Sequence, residues 1–306
     1  AKALRAGSDF LINSDPIELG LVVAGIGERL DRIYTDDPSG DKGRDVEIGF
    51  RRVRAWSGQR GELENRPRSE WQREDESFGT MLVIEARFFL ADGVSDSRAQ
   101  FFISDDRRRE FWTSSTALRL KSADGDRARP IVWREYGTRN FSNMTIVIEP
   151  ADARAVAAAE ELAASSPMGM LAPAASQRVV RPFVRLEGYA SRLEMEIMPF
   201  LLAASSVTAD DFAFAAFDAS LEEVALHGVR ISAPEPAQED ARGTQAATAT
   251  PALVVTILKP GGEAERVELD AEQRLIRRTL PGQRVIEPIA PAELRRIYQR
   301  KGLPIS

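Results

Sequence analysis

One histidine, His227, is the only residue of its type in the 306-residue chain and the first candidate for chemistry. A metal site usually needs two or more ligands from His, Cys and carboxylates, and a catalytic triad needs a base beside a nucleophile. Cysteine is absent, which excludes disulfides, thiol nucleophiles and cysteine-bound iron–sulfur clusters. In "ALHGVR" the histidine precedes a glycine, which favours a turn or partner residue at a strand edge; general-base catalysis is the alternative.

Other motifs that carry chemistry are missing. The acidic run "DDPSGDKGRD" departs from the spacing of a calcium loop and lacks its closing glutamate, so it is interpreted as a solvated turn. Phosphate-binding, dinucleotide-binding and nucleophile-elbow motifs are absent. The 47 acidic residues leave a glycosidase-type pair open, but no pair stands out. We therefore predict a non-enzymatic protein with no catalytic residue, no metal site and no cofactor.

The net charge and the lengths of the apolar runs limit the classes of partner that we expect for this chain. The net charge is −6, whereas nucleic-acid-binding proteins usually present a basic domain or stripe, so no nucleic-acid partner is expected. The longest basic run, Arg107 to Arg109, is flanked by Asp105, Asp106 and Glu110 and is interpreted as a locally neutral surface turn. No apolar run approaches the roughly 20 residues of a transmembrane helix. The chain begins Ala-Lys-Ala without Met, which fits a mature form after signal-peptide removal or a trimmed chain.

The N-terminal segment, residues 1–44, contains a helix start at "DPIE", with Asp15 as N-cap and Pro16 in the first turn. Apolar residues from Ile17 to Ile33 could share one face of that helix, but three glycines weaken it, and a strand over residues 17–23 is the competing prediction. Residues 45–150 then show repeated runs of β-branched and aromatic residues bounded by turn residues. Their close spacing predicts an antiparallel β region, with strands over 46–56, 79–93, 97–104, 116–122, 129–136 and 143–150.

Residues 151–177 are predicted as a helix, over 151–166, and a linker. Residues 178–306 return to strands, over 178–188, 191–200 and twice within 211–232, with a flexible loop at 233–251. A three-stranded meander over 253–282 and a helix over 290–302 complete the chain. The fold class expected is mainly β with a few short helices, an α+β arrangement of curved antiparallel sheet ending in a meander. The two β regions could be separate or could form one continuous domain.

Aromatic residues offer a possible lining for a cavity. The adjacent pairs Phe88-Phe89 and Phe101-Phe102 must point to opposite faces of a strand. If one face of the sheet is covered by the protein core, half of these rings need another cover, such as a helix, a partner or a lipid-like ligand. Ordinary core packing is the simpler interpretation of the four tryptophans and these pairs.

Residues 178–286 resemble the end of periplasmic proteins of the LolA/LolB-like class and their uncharacterised relatives. The resemblance lies in "MPFLLAASSVTADDFAFAAFDASLEEVALHGVRI" followed by "LVVTILKPGGEAERVELDAEQRLIRRTLPG". It implies a curved antiparallel sheet that wraps around helices and holds acyl chains or another apolar ligand on its concave side. The insertion at 233–251 departs from the pattern. Candidate ligand-binding residues on the inner face are Leu193, Met195, Ile197, Phe212 and Phe214.

Three functions remain open. The first is a non-catalytic bacterial envelope protein, periplasmic, that binds an apolar small molecule, a lipid, a lipoprotein or another protein. An apolar inner face could bury an acyl chain at about 0.8 kcal/mol per methylene without any catalytic group. The second is a structural or accessory subunit of a larger assembly, such as a virion, tail or envelope complex, with a cytoplasmic or virion location. The third is a hydrolase with an unrecognised carboxylate pair.

Overall fold

A computed structural model of the chain describes residues 2–14, 16–35, 45–64, 66–90, 93–120, 131–141, 143–150, 177–182, 188–205, 211–218, 223–234 and 250–303. The predicted turn at 36–44, the helix at 151–166 and most of the loop at 233–251 lie outside these residues. The described helices are α1 (Lys2–Asn13), α2 (Pro16–Ile26), α3 (Arg192–Ala204) and α4 (Pro291–Lys301).

The described strands alternate apolar and polar residues, as expected for a sheet with two different faces. They are β1 (Glu28–Thr35), β2 (Val46–Gln59), β3 (Phe78–Leu90), β4 (Gly93–Ser104), β5 (Arg109–Leu120), β6 (Ile131–Asn140), β7 (Asn143–Pro150), β8 (Gln177–Pro182), β9 (Asp211–Asp218), β10 (Glu223–Ser232), β11 (Leu253–Leu258), β12 (Ala264–Leu269), β13 (Leu275–Leu280) and β14 (Arg284–Pro288).

All fourteen described strands belong to one sheet, in the order β8-β7-β6-β5-β4-β3-β2-β1-β14-β13-β12-β11-β10-β9. Neighbouring strands pair antiparallel throughout this order. The predicted fold class is confirmed, including the C-terminal meander. The β regions at 45–150 and 178–306 are parts of the same sheet, because β1 pairs with β2 on one side and β14 on the other.

The sheet curls until distant strands meet. The rings of Trp112 on β5 and Phe217 on β9 lie 5.5 Å apart, although nine other strands lie between these two strands in the sheet order. Edge strand β9 also forms an isolated parallel bridge between Ala215 and Tyr189. Helix α1 packs directly on β9, where a Cβ on Gly7 would lie 2.1 Å from the Ala213 carbonyl oxygen. Only glycine therefore permits this approach of helix to strand.

The concave side of the sheet holds the main core. Helices α1, α2 and α3 contribute Phe10, Leu19 and Leu193 to it, and the sheet contributes Val53, Trp112 and Val267, all at most 7% exposed. Because three helices fill the curved sheet from inside, the interior is packed with side chains rather than empty.

The predicted strand over residues 191–200 is wrong, because these residues form most of α3. Ser191 accepts a hydrogen bond from the Glu194 backbone N–H at 3.1 Å, and the Glu194 carboxylate accepts one from the Ser191 N–H at 2.8 Å. This capping box starts a helix. Leu193, Ile197 and Leu201 then follow at a spacing of four, which places them on one buried helical face.

The helix predicted to start at "DPIE" is present as α2, but it is shorter than the apolar pattern indicated, and α1 before it was not predicted. Helix α2 ends at Ile26, and Gly27 adopts a positive φ of 51° that reverses the chain. Leu30 and Ile33, predicted to share the face of this helix, lie on β1 instead. The predicted N-cap, Asp15, is outside the described residues.

The convex side of the sheet has two covers, both from this chain. An excursion of the chain at residues 60–64 and 66–77 folds over Met81, Phe102 and Phe111, and the Trp71 ring takes the space of the missing Gly61 side chain. Helix α4 covers the other end, where the Tyr298 ring lies 5.4 Å from the ring of Phe89. At these two places, the rings that point away from the main core are therefore covered by parts of the same chain, the excursion and α4.

Candidate ligand-binding groove

The five residues predicted as a ligand-binding face come together in the core. Leu193 and Ile197 lie on α3, and Phe212 and Phe214 lie on β9; each is at most 2% exposed. The two phenylalanine rings are 6.1 Å apart and nearly parallel, and Phe10 of α1 packs edge-on against both. Met195 is half-buried beside this cluster. All five belong to one core cluster with Phe10 of α1, so they form part of the packed support of the concave side.

Open space lies at the neighbouring end of the concave side. A groove of about 840 Å³ runs between α2, α3 and the turn that joins β12 to β13. The apolar part of its lining comes from α2, α3 and the start of β13: Leu21, Val22 and Ile26, then Phe200 and Ala204, then Leu275 and Ile276. Leu21, one of these wall residues, is 67% exposed.

The rim of the groove is mainly acidic. Glu18, Glu28, Asp270, Glu272 and Glu287 line it together with Arg29 and Arg274. Several of these acids are held by arginines: Arg274 pairs with Asp270 at 2.8 Å and with Glu272 at 3.0 Å. Five acidic and two basic residues give the lining a net charge of −3. The mouth is therefore more compatible with a neutral or cationic polar group than with a free carboxylate.

A small void of about 20 Å³ continues the groove inwards and reaches a charged floor. On the floor, the Arg51 Nε lies 2.8 Å from Asp31 Oδ2, and the Arg29 Nε lies 2.7 Å from Asp31 Oδ1. Asp31 is fully buried. Burial lowers the pKa of Arg51 in spite of the Asp31 carboxylate beside it. A buried carboxylate with two guanidinium partners is satisfied, so this floor is rigid and polar.

Arg278 extends the same floor towards α3. Its guanidinium pairs with the buried carboxylate of Glu265 and lies 3.4 Å from Glu196 Oε2. Burial disfavours the charged form of Glu196, but the charges of Arg278 and Arg51 outweigh burial and lower its pKa. Glu196 is thus ionised at neutral pH and links α3 electrostatically to β13.

The N-terminus of α3 is anchored by a second buried cluster around Glu110 of β5. The Glu110 carboxylate accepts hydrogen bonds from Arg139 Nε at 3.0 Å, from the Tyr189 hydroxyl at 2.9 Å and from the Arg192 backbone N–H at 2.7 Å. Its negative charge lies at the positive end of the α3 dipole. Burial raises the pKa of Tyr189 well above its ordinary value, and the nearby Glu110 charge raises it further. These contacts fix the helix that forms one wall of the groove.

None of the five predicted residues lines the groove itself, although Ile197 lines the small void that continues it. Ile26, Phe200 and Leu275 form its inner wall and are distant in sequence, so no local pattern connects them. One signal was present: "SRLE" at residues 191–194 followed by an apolar run is a capping-box signature. Recognising it would have assigned α3 and moved Phe200 onto a helix beside α2.

His227 lies on β10 with its side chain buried, and its Nε2 is 3.9 Å from Asp218 Oδ2. Burial lowers its pKa, so the imidazole is neutral at pH 7. It is not one of the groove residues. In the part of the chain that the structure describes, no three His, Asp or Glu side chains converge as a metal site would require. The described helices include none with the length and apolarity needed to cross a membrane.

Comparisons with known proteins give a limited result. No protein-family model matches the sequence, and no curated protein matches it. Among solved structures, the chain is similar to the crystal structure of a β-barrel-like protein of domain of unknown function DUF1849 from Brucella abortus. The match covers 85% of this chain and 93% of that chain, at 12% identity and a TM-score of 0.43. The likeness of residues 178–286 to the LolA/LolB-like class is not shown by these comparisons.

Proposed function

We propose that this protein binds an apolar ligand, such as an acyl chain, in the groove between α2, α3 and the β12–β13 turn, and that it carries out no catalysis. The main support for this proposal is a groove of about 840 Å³ whose apolar lining comes from α2, α3 and β13. Ligand sites typically have volumes of about 300–1,000 Å³ and mostly apolar linings with a few polar groups.

Energetics support an apolar occupant. Burying a methylene group contributes about 0.8 kcal/mol, and micromolar affinity requires about 8 kcal/mol after an association cost of at least about 4 kcal/mol, so the ligand needs roughly 15 buried methylenes. The exposed Leu21 and the half-buried Phe200 are available to contact such a chain. The acidic rim disfavours a carboxylate at the mouth, so the proposed ligand has a neutral or cationic polar end.

The cell envelope remains our proposed location, on the strength of the sequence resemblance alone. Binding of a lipoprotein would use the same groove, because its acyl chains are apolar ligands of this kind. A role as a subunit of a larger assembly, or as a hydrolase, gains no specific support from the described residues.

A fluorescence titration with the neutral apolar probe N-phenyl-1-naphthylamine tests the proposal. Leu21→Glu places a charge on the groove wall and should weaken binding at least tenfold, because the lost apolar contact and the added charge both oppose it. Ile12→Glu is a matched control, since Ile12 is 70% exposed on α1 and lies outside the groove; it should bind the probe like the original chain. Absence of probe binding by the original chain, or equal loss in both variants, would contradict the proposal.

A further inference from the structure

We propose that the convex face of the sheet carries a second binding site, for an acidic saccharide, that is independent of the concave groove. A surface groove of about 810 Å³ lies on this face, across β2 to β6 and beside the excursion at residues 60–64 and 66–77. Its lining includes three arginines, Arg54, Arg98 and Arg134, together with hydroxyl, amide and aromatic side chains.

The strand register explains why this groove is polar. Three rows of side chains cross the convex face in parallel. Under the excursion, the row is Trp56, Met81, Phe102 and Phe111. The next row is Arg54, Val83, Gln100, Thr113 and Tyr136, and the third is Arg52, Glu85, Arg98, Ser115 and Arg134. The face therefore changes from apolar to cationic and hydroxylated where the covering excursion ends.

Cations exceed anions in the open part of this groove. Glu85 is the carboxylate between Arg54 and Arg98, and it lies 3.9 Å from Arg54 Nη2 and 3.6 Å from Arg98 Nη1. Such long, half-exposed pairs leave most of the hydrogen-bonding capacity of both guanidinium groups unused. Among the described residues, the buried Nε of Arg54 has no hydrogen-bond partner.

The acids at the other end of the groove are occupied within the chain. Glu62 accepts hydrogen bonds from Trp56 Nε1 and the Gln59 backbone N–H, both at 3.3 Å. Glu64 lies 2.6 Å from Arg66 Nη2. These acids hold the excursion in place, so they are not available to bind the arginines of the open part.

This combination of groups defines the class of ligand. Arginine forks bind carboxylates and phosphates with paired hydrogen bonds. The half-buried ring of Tyr136 offers a flat apolar surface, and Ser115 offers a hydroxyl, which suit the faces and hydroxyl groups of sugars. An acyl chain is a poor fit, because the apolar row of the face is already covered. Sugars that carry carboxylate or phosphate groups satisfy both the charge and the polar lining.

Isothermal titration calorimetry with trigalacturonate and mannose 6-phosphate tests this site, with trigalacturonate methyl ester and mannose as neutral counterparts. At least one acidic sugar should bind about tenfold tighter than its neutral counterpart, and the responding member identifies carboxylate or phosphate as the recognised group. Equal binding within both pairs would overturn the proposal. Triglutamate binding as tightly as the acidic sugars would overturn the saccharide assignment, because charge alone would then suffice.

Three variants locate the site. Arg98→Ala should weaken the acidic sugar about tenfold, the effect of losing one charge-assisted hydrogen bond. Glu85→Gln should tighten it severalfold, because it removes the anion that competes for both arginines. Arg119→Ala is the control: Arg119 is on the same face and 55% exposed, against 46% for Arg98, but lies outside the groove. Equal weakening by Arg98→Ala and Arg119→Ala would mean diffuse attraction and would refute the site, provided circular dichroism shows that both variants are folded.

Discussion

The Glu110→Gln variant keeps the size of the side chain but removes the charge that three donors share at the start of α3. The donors are Arg139 Nε, the Tyr189 hydroxyl and the Arg192 backbone N–H, at 2.7 to 3.0 Å. The Glu110 side chain is 1% exposed and that of Arg139 is 7% exposed, so water cannot replace the lost contacts. The variant therefore leaves a buried guanidinium without its carboxylate.

The expected loss follows from this burial. Removing one partner of a buried ion pair costs about 3–5 kcal/mol, and a net hydrogen bond to a charged group contributes about 1.5–3 kcal/mol. Glutamine keeps one acceptor oxygen, so the loss should lie at the lower end, at about 3 kcal/mol in the free energy of unfolding. That is a large part of the roughly 5–15 kcal/mol by which most proteins are stable.

Urea unfolding followed by tryptophan fluorescence measures this loss. Glu85→Gln is the control, because Glu85 is 35% exposed and its pairs are long, so its loss should stay below about 0.5 kcal/mol. Combining Glu110→Gln with Arg139→Gln should cost about 1–3 kcal/mol less than the sum of the single variants, since the two residues interact directly. A Glu110→Gln loss below about 1 kcal/mol, or strict additivity of the pair, would refute the reasoning.

Two further predictions concern packing and pH. Gly137→Ala should destabilise the protein by about 1–3 kcal/mol, because the new Cβ would lie 1.9 Å from the fully buried Trp112 ring. Gly25→Ala should instead stabilise α2 by about 0.5–1 kcal/mol, because no heavy atom lies within 4 Å of the new Cβ. Thermal unfolding distinguishes the two variants, and equal changes in melting temperature would contradict the packing argument. Burial raises the pKa of Tyr189 and of Tyr298 above the unfolded value of about 10. The contribution of both phenols to the free energy of unfolding is therefore complete below pH 10 and decreases as pH rises above it. Urea midpoints should fall between pH 10 and 11.5, and the fall should be smaller in the double variant Tyr189→Phe/Tyr298→Phe; an unchanged slope would contradict this linkage.

Local alternation was enough to predict most of the sheet, because a strand with one buried face has apolar and polar residues at alternating positions. In β12, Val267 and Leu269 are buried while Arg266 and Glu268 are partly exposed, as their alternation indicates. The same period misled at residues 191–200, where Leu193, Met195 and Ile197 alternate with charged residues but lie on a helix. Residues at i and i+4 lie on one helical face and also share one strand face, so Leu193 and Ile197 fit both structures. The cap at Ser191 was the deciding signal.

The groove could not be predicted in the same way. Its inner wall joins Ile26, Phe200 and Leu275, and their meeting depends on how far the sheet curls around α2 and α3. The charged floor is equally non-local, because Arg51 and Arg278 look like solvent-facing arginines until the curled sheet buries them. Strand β1 was missed for a related reason: its apolar residues continue the spacing of α2, and only the positive φ of Gly27 separates the two elements.

The pairing of β1 with β14 has a consequence for how the chain folds. Every other neighbouring pair in the described sheet joins strands that are consecutive in sequence, whereas this pair aligns Asp31 with Pro288. Contacts between distant parts of a chain form more slowly than contacts between near neighbours, because closing a longer loop costs more conformational entropy. We therefore expect the β1–β14 pairing to form after the hairpins on either side of it, and until it forms both of its strands would expose an unpaired edge to other chains.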